Sequence, residues 1–414
     1  MTKRFRVSLF PAALAVLVVV FLAGCAGFDL ESFITELENS ADAENISSDD
    51  GPIADGQGSS SVEVSGFGDR GTPFPERLPV TIESSRRVAT TPLEPGFRPN
   101  DLSFLDETTG YVVGPDGAIA RTRDGGESWV RLETSITTSI EAVDFLNERV
   151  GVVAGASAAV GLTFDGGESW QVYSFLDEPR EVPDGTYWLD MTDPSVLARR
   201  NLRSAHAHDA DTFIVAGEYG LVYRTTDGGR SWEDISIVSP QTMYGIDTTA
   251  DGTIFVAGGM GLADNTNVLR SVDGGRSWRE LHGDLGNPAG GISVAETGRI
   301  IVTGAAFFFA DEFGDRLRRL PDLLGAMVWE GTVGYWGAAE IDEHGAWILQ
   351  GSGFSDDGRG VSVLSSVDAG ESWTLIEGGT YATVRAGRVV ADGFAYALLQ
   401  QAGQWEAELH RLDW

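Results

Sequence analysis

The chain has 414 residues, with 62 acidic against 29 basic side chains and a formal net charge of −33. A charge this negative argues against binding to nucleic acid and against unassisted adhesion to anionic lipid, because both need clustered basic residues. The sequence contains one cysteine, which excludes an intramolecular disulfide.

The first 25 residues have the pattern of an exported lipoprotein. The opening MTKRFR is followed by an apolar run over residues 9–23, which is short for a transmembrane helix. This order is typical of a signal peptide, here residues 1–24. The tetrapeptide LAGC that ends at Cys25 resembles the bacterial lipobox, and the resemblance implies lipid attachment at Cys25. An uncleaved signal anchor is the alternative.

Cleavage before Cys25 would remove the three positive charges of MTKRFR and change the net charge from −33 to −36. Two or more acyl chains would hold the protein stably at a membrane. Ala26 follows the cysteine, which by resemblance to enterobacterial sorting favours the outer membrane. We therefore expect a lipid-anchored protein of the cell envelope, at the outer membrane and facing the periplasm.

Residues 25–75 are rich in Asp, Glu, Ser and Gly and contain few apolar side chains. Such a segment cannot bury enough surface to offset the entropy of ordering it. It is expected to be a disordered acidic tether.

Five near-copies of a nine-residue motif follow: RTRDGGESW, LTFDGGESW, RTTDGGRSW, RSVDGGRSW and SSVDAGESW. The Asp and Ser/Thr side chains can bond to nearby backbone groups, and Gly adopts positive φ freely. The motif therefore predicts a hairpin turn with the Trp packed over it. We interpret its Asp and Trp residues as structural rather than as calcium ligands or catalytic groups. They are Asp124 with Trp129, Asp165 with Trp170, Asp227 with Trp232, Asp273 with Trp278, and Asp368 with Trp373.

These motifs are similar to Asp-box (BNR) repeats. The stretches GYVVGPDGAIARTRDGGESW and TFIVAGEYGLVYRTTDGGRSW resemble the photosystem II stability/assembly-factor-like propellers, a family also found in bacteria that do not photosynthesise. The resemblance covers most of residues 100–414. It implies an all-β propeller that acts as a chaperone-like assembly or accessory factor toward a membrane complex.

Two degenerate copies raise the repeat count to seven. In one, Glu312 stands at the Asp position and Leu317 at the Trp position; in the other, Asp413 stands at the Asp position. Four short strands per repeat predict a seven-bladed β-propeller over residues 76–414. The last repeat lacks a fourth strand, so we expect residues 78–85 to close the ring. A six-bladed ring is the alternative, with the fifth repeat as an insertion.

Residues that enter the inner strands should surround one mouth of the propeller. Arg, Tyr and Trp are enriched in interface hot spots, so we predict a partner-binding surface there. Packing between blades is the alternative role for each side chain. The predicted residues are Arg200, Arg203, Tyr244, Tyr335, Trp336 and Tyr381, together with Tyr187 and Trp188 from the longest loop.

The same alignment places Ser103, Asp144, His206, Asp247, Ser293 and Glu340 at one equivalent inner-strand position. They could hold a cation or ordered water in the channel, or they could satisfy exposed backbone groups of edge strands. His206 and His208 share a strand face but have no evident third ligand. The sequence therefore predicts no metal site and no cofactor.

The expected partner is an unidentified protein of the membrane or envelope, bound by a monomer that is anchored through its lipid. No GxSxG, P-loop or HExxH motif indicates an enzyme. The alternative is a carbohydrate-binding or sialidase-like glycosidase propeller. Against that alternative, the nearest match to the sialidase Arg-Ile-Pro motif is Phe97-Arg98-Pro99, which lacks the Ile.

Overall fold

The structure is a computed structural model. It describes residues 80–81, 84–87, 97–175, 200–237, 241–259, 266–281, 289–296, 298–304, 308–310, 317–319, 337–341, 346–350, 361–366, 374–378, 383–391, 394–400 and 407–413. The predicted signal peptide, Cys25 and the predicted tether lie outside these residues. Among the described segments, no helix has the length and apolar character needed to cross a membrane.

The described strands form seven sheets. Strands β1 (Val80–Thr81) and β2 (Ser84–Arg87) come first in the chain and join the last two sheets. The first sheet contains β3 (Asp101–Phe104), β4 (Gly110–Val113), β5 (Ile119–Thr122) and β6 (Val130–Leu132). The second contains β7 (Ile140–Phe145), β8 (Gly151–Gly155), β9 (Ala159–Thr163) and β10 (Gln171–Ser174). The third contains β11 (Leu202–Ala207), β12 (Phe213–Gly217), β13 (Val222–Thr225) and β14 (Glu233–Asp234).

The fourth sheet contains β15 (Thr242–Thr248), β16 (Ile254–Gly259), β17 (Thr266–Ser271) and β18 (Arg279–Glu280). The fifth contains β19 (Ala289–Val294), β20 (Ile300–Gly304), β21 (Phe308–Ala310) and β22 (Arg318–Arg319). The sixth contains β23 (Gly337–Ile341), β24 (Ala346–Gln350), β25 (Val361–Ser366) and β26 (Thr374–Gly378), and β1 lies at its edge. The seventh contains β27 (Thr383–Ala391), β28 (Phe394–Gln400) and β29 (Ala407–Asp413), completed by β2.

The first four sheets bury both faces of their second strands. The second strands of the first four sheets read GYVV, GVVAG, FIVAG and IFVAGG, and every residue in them is buried. Continuous apolar runs of this kind suit strands that are covered on both faces. The apolar clusters correspondingly lie between adjacent sheets, as where Val152 and Leu162 of the second sheet meet Phe213 and Tyr223 of the third.

The inner strands contact one another in cyclic order. Strand β3 contacts β7, and the series continues through β11, β15, β19 and β23 to β27, which contacts β3 again. Each of these strands is the first of a meander of consecutive strands, with β2 as the fourth strand of the seventh sheet. The protein is therefore an all-β propeller, and the propeller class expected from the repeats is confirmed.

The closing segment differs from the single strand expected over residues 78–85. Strand β2 pairs antiparallel with β29, with Ser84 opposite Asp413 and Arg87 opposite His410. Strand β1 instead pairs in parallel with β26, with Val80 opposite Ile376. The segment thus covers the outer edges of two neighbouring sheets, where unpaired backbone N–H and C=O groups would otherwise face solvent.

Candidate functional site

The repeated hairpins connect the third and fourth strands of their sheets, and four copies lie in the described residues. In the second copy Thr163 Oγ1 donates to Asp165 Oδ1 at 2.9 Å, and the backbone N–H of Ser169 donates to the same oxygen at 2.9 Å. The Gly167 N–H donates to Thr163 Oγ1 at 2.8 Å. The copies at Asp124, Asp227 and Asp273 repeat these bonds.

The same bonds set the electrostatics of the hairpins. The Ser231 hydroxyl and N–H hold the pKa of Asp227 at about 2, and Ser277 does the same for Asp273. Serine donors also lower the pKa of Asp124 and Asp165. The oxygens of these carboxylates accept hydrogen bonds within the turn, so few of their lone pairs are available to bind a metal ion or to accept a proton.

The Trp of each of the four described hairpins packs beside its turn. The indole N–H groups of Trp129 and Trp170 donate to the second Gly carbonyl of their own turns, both at 3.1 Å. Trp170 meets Phe145 edge-on at 6.3 Å between ring centroids. Trp278 donates instead to Ile235 O, and Trp232 packs on Phe175. The fifth predicted pair, Asp368 and Trp373, lies outside the described residues.

Side chains at the face that carries these hairpins also join neighbouring sheets. Arg121 Nη1 donates to Gly166 O in the next sheet at 2.9 Å. The Tyr396 hydroxyl of the seventh sheet donates to Glu107 O of the first at 2.9 Å. The hairpin face is therefore a structural surface that ties one sheet to the next.

The opposite face is built by the turns between second and third strands and by the starts of the inner strands. We call it the mouth face. A β-bulge interrupts the inner strands of five sheets close to this face: at Glu141, Arg203 and Tyr244 in the second, third and fourth sheets, and at Gly290 and Arg385 in the fifth and seventh. A bulge re-aims one side chain away from the regular ladder. The second, third and fourth sheets therefore each present a charged or aromatic side chain at an equivalent place on the mouth.

Arg203 is the centre of an ion network across two sheets. Its Nη1 lies 3.1 Å from Glu141 Oε2, and its Nη2 lies 2.7 Å from Glu218 Oε1. Burial lowers the pKa of Arg203, but the hydrogen bond and charge of Glu218, together with the charges of Glu141 and Tyr244, raise the pKa overall. Asn201 Nδ2 donates to Glu218 Oε1 at 3.0 Å and fixes that carboxylate. The guanidinium is charged and held in place.

Neither of the two predicted arginines is an open positive charge. Arg200 is 3% exposed, and two carboxylates neutralise Arg203. The pair therefore does not form an open positive patch that would steer an acidic group into the channel. Tyr244 is partly buried and contributes to raising the pKa of Arg203. The other predicted mouth residues lie outside the described residues: Tyr187, Trp188, Tyr335, Trp336 and Tyr381.

Side chains at the aligned inner-strand position bond across the sheets. Four of them accept a hydrogen bond from a backbone N–H of the next inner strand. The Phe145 N–H donates to Ser103 Oγ at 3.2 Å, and the Ala207 N–H donates to Asp144 Oδ2 at 2.9 Å. The Val294 N–H donates to Asp247 Oδ2 at 2.7 Å, and the Ile341 N–H donates to Ser293 Oγ at 3.2 Å. These side chains therefore satisfy backbone groups of the neighbouring sheet, which was the second of the two expected roles. The side chain of Glu340 is not described.

His206 lies between two of these carboxylates. Its Nδ1 is 3.5 Å from Asp144 Oδ2, and its Nε2 is 3.8 Å from Asp247 Oδ1. His206 Nε2 and His208 Nδ1 both approach Thr248 Oγ1, at 2.8 and 2.7 Å. In the described part of the chain, no group of three or more His, Cys, Asp or Glu residues is arranged to hold a metal ion.

Asp101 adds a carboxyl that the sequence alignment of inner strands missed. Its Oδ2 accepts the Val143 N–H at 3.0 Å. Burial raises the pKa of Asp101 to about 7, against the lowering effect of that hydrogen bond. Burial also raises the pKa of Asp247, against the lowering effect of His206. The channel wall therefore contains carboxyl groups that take up protons more readily than exposed ones.

Fold and hairpins together define an Asp-hairpin β-propeller with a polar mouth. Residues 81–173 match the family model described as photosynthesis system II assembly factor YCF48. A 172-residue stretch is 35% identical to the photosystem II assembly lipoprotein Ycf48 of Prochlorococcus marinus. That match covers 42% of this chain and 45% of the relative, so it spans less than half of the relative's length. These matches confirm the family resemblance predicted from the repeats.

Solved structures share the fold. A chain described as YCF48 bound to D1 peptide aligns with 82% of this chain and 99% of its own length, at a TM-score of 0.54 and 19% identity. A GH74 xyloglucanase from Xanthomonas campestris aligns with 77% of this chain and 52% of its own length, at a TM-score of 0.54 and 16% identity. At these identities both likenesses show the fold alone.

Proposed function

We propose that this protein is a lipid-anchored, non-enzymatic seven-bladed propeller that binds another protein at its mouth face. In this role it serves as an assembly or accessory factor for a membrane or envelope complex. The observation that carries the proposal is the row of bulged residues Glu141, Arg203 and Tyr244, which present charged and aromatic side chains on one face. The family resemblance supports the same role, because the relatives are named as photosystem II assembly factors.

The mouth residues have the properties of a recognition surface. Arg203 is preorganised by Glu141 and Glu218, so a partner would not have to order a flexible guanidinium. Preorganisation of this kind lowers the entropic cost of binding. Arg and Tyr are also the residue types that dominate interface energetics.

The blade count rests on the fifth sheet. Strands β19 to β22 form a four-stranded sheet at the degenerate repeat, and Leu317 is buried against Phe255 and Leu281 of the fourth sheet. A leucine therefore fills an intersheet position comparable to that of Trp in the other repeats. These contacts support a blade rather than an insertion, and hence seven blades in the ring.

The lipid anchor rests on the sequence LAGC at Cys25 and on the relative, whose name describes a lipoprotein. We propose that the acyl chains lie in the outer membrane and that the propeller faces the periplasm. The acidic tether over residues 25–75 would then separate the two. A protein client in or near the membrane would be within reach of the mouth face.

Site-specific photocrosslinking in intact cells tests the proposal. Benzoylphenylalanine in place of Tyr244 on the mouth face should give a defined adduct with a membrane or envelope protein. The same crosslinker in place of Val272, a hairpin residue that is 72% exposed, is the control and should give none. Adducts from Val272 only, or from neither position, would contradict binding at the mouth. In a detergent extract of the same cells, loss of the adduct on addition of xyloglucan would instead indicate a carbohydrate site.

A further inference from the structure

Three equivalent turns on the mouth face share one backbone conformation. Each joins the second and third strands of its sheet, and its two central residues have positive φ: Asp116 and Gly117 (55° and 68°), Ser157 and Ala158 (59° and 50°), and Tyr219 and Gly220 (60° and 67°). Positive φ at both central residues is the type I′ pattern of tight hairpins, which strongly prefers Asn-Gly and Asp-Gly.

The conformation is required by bonds between the sheets. The N–H of the second central residue donates to a carbonyl just ahead of the next inner strand in all three turns. Gly117 donates to Thr138 O at 2.8 Å, Ala158 to Arg200 O at 2.6 Å, and Gly220 to Gln241 O at 2.7 Å. The fold therefore fixes the turn geometry whatever the side chain at the first central position.

The side chain at that position in the third sheet is unfavourable for the turn. Asp116 in the first sheet is a preferred residue, because a short polar side chain tolerates the left-handed region. A tyrosine with φ of 60° and ψ of 33° is uncommon, because a bulky side chain crowds the backbone in the left-handed region. Strained residues persist where the surrounding structure holds them in place, and they cluster at functional sites.

The position of Tyr219 indicates which function. It follows Glu218, whose carboxylate holds Arg203, and its turn contacts β15, which carries the bulged Tyr244. Tyr219 is partly exposed on the mouth face, in a turn that is joined to both bulged residues through Glu218 and β15. We propose that Tyr219 is a partner-contact residue, kept in a strained turn because its ring binds a polypeptide segment of the client.

The local charge favours a polypeptide over a phosphate-bearing partner. The described ion network at the mouth has two carboxylates and one guanidinium, on a chain of net charge −33. Such a surface repels anionic headgroups and phosphates. Tyrosine gives a large contact area at low entropic cost, which suits binding to a peptide segment.

This inference rests on the proposed function, and the test separates the two. With the crosslinker in place of Tyr244, Tyr219→Asn should lower the adduct yield at least tenfold. Its melting temperature should equal or exceed that of the parent, because Asn suits the turn. Ser157→Asn makes the same change in the equivalent turn of the second sheet, and it should leave the adduct yield unchanged.

Each outcome has one meaning. An adduct yield unaffected by Tyr219→Asn, in a protein that still forms the adduct from position 244, overturns the inference and leaves the proposed function standing. No adduct from position 244 in the parent overturns both. If Tyr219→Asn lowers the melting temperature, the premise of a strained turn is wrong. Benzoylphenylalanine in place of Tyr219 itself is the independent readout: an adduct with the same protein supports direct contact, and its absence refutes it.

Discussion

Gly151 and Phe145 provide a quantitative test of packing between strands. Gly151 begins β8, and a Cβ added there would lie 2.6 Å from two carbons of the Phe145 ring. The ring is 3% exposed, stacks on Tyr111 at 3.4 Å between centroids, and meets Trp170 edge-on. It therefore has little room to move. Gly151→Ala should destabilise the protein by about 1–3 kcal/mol through overpacking.

The second substitution of this double-mutant cycle removes the Phe145 ring. Phe145→Ala should cost about 3–5 kcal/mol, because it deletes a buried aromatic side chain and leaves a cavity. In the double variant the methyl group added at position 151 enters space that the ring has vacated. The cost of Gly151→Ala should then disappear, and the double variant should be no less stable than Phe145→Ala alone. The predicted coupling equals the clash, about 1–3 kcal/mol.

Urea unfolding followed by tryptophan fluorescence measures all four proteins, provided that they share one m-value. Phe104→Ala combined with Gly151→Ala is the control pair. Phe104 belongs to the equivalent stack with Tyr396 and Trp129, on the other side of the first sheet. That control should be additive within about 0.5 kcal/mol. Additivity of Phe145→Ala with Gly151→Ala as well would refute the predicted clash.

Three further predictions concern single groups. The folded-state pKa of Asp101, about 7, lies above 3.8, so its stabilising contribution is complete below about pH 4 and is lost as pH rises through 7. Asp101→Asn should therefore be more stable than wild type at pH 8. It should also remove a fall in unfolding free energy of up to about 1.4 kcal/mol per pH unit between about pH 4 and 7, which thermal melts at several pH values would show. The folded-state pKa of Asp227 is about 2, below 3.8, so Asp227→Asn should destabilise the protein at pH 7. The difference in unfolding free energy between wild type and variant should vanish as pH falls toward 2. A difference that stays constant with pH would contradict the hairpin role. Cys25→Ala should abolish labelling by a fatty-acid analogue, and undiminished label would exclude a lipid anchor at Cys25.

Local motifs predicted the propeller because the hairpin chemistry is contained within nine residues. Thr163, Asp165 and Ser169 bond to one another within one turn, so their spacing carries the information. The closing segment was harder to predict. Val80 and Ser84 pair with strands far along the chain, and no local pattern indicates which of two sheet edges each residue joins.

The mouth could be predicted only in part. Arg203 and Tyr244 stood out as residue types near strand starts, but Glu141 and Glu218 did not. Their role depends on contacts between sheets, and on a bulge that shifts Glu141 out of the regular alternation. The Tyr219-Gly220 pair did carry a local signal, since glycine at the second central position suits a type I′ turn.

The pairing of β2 with β29 also sets an order of events during synthesis. The segment that completes the seventh sheet is made before every other strand of that sheet, and it must wait until β29 has formed. Closure of so long a loop is entropically costly, and contacts between distant parts of a chain form slowly. Until then the edge of β29 offers unpaired backbone groups to any extended chain nearby. Ring closure is therefore the step at which this propeller is most exposed to strand exchange between nascent molecules.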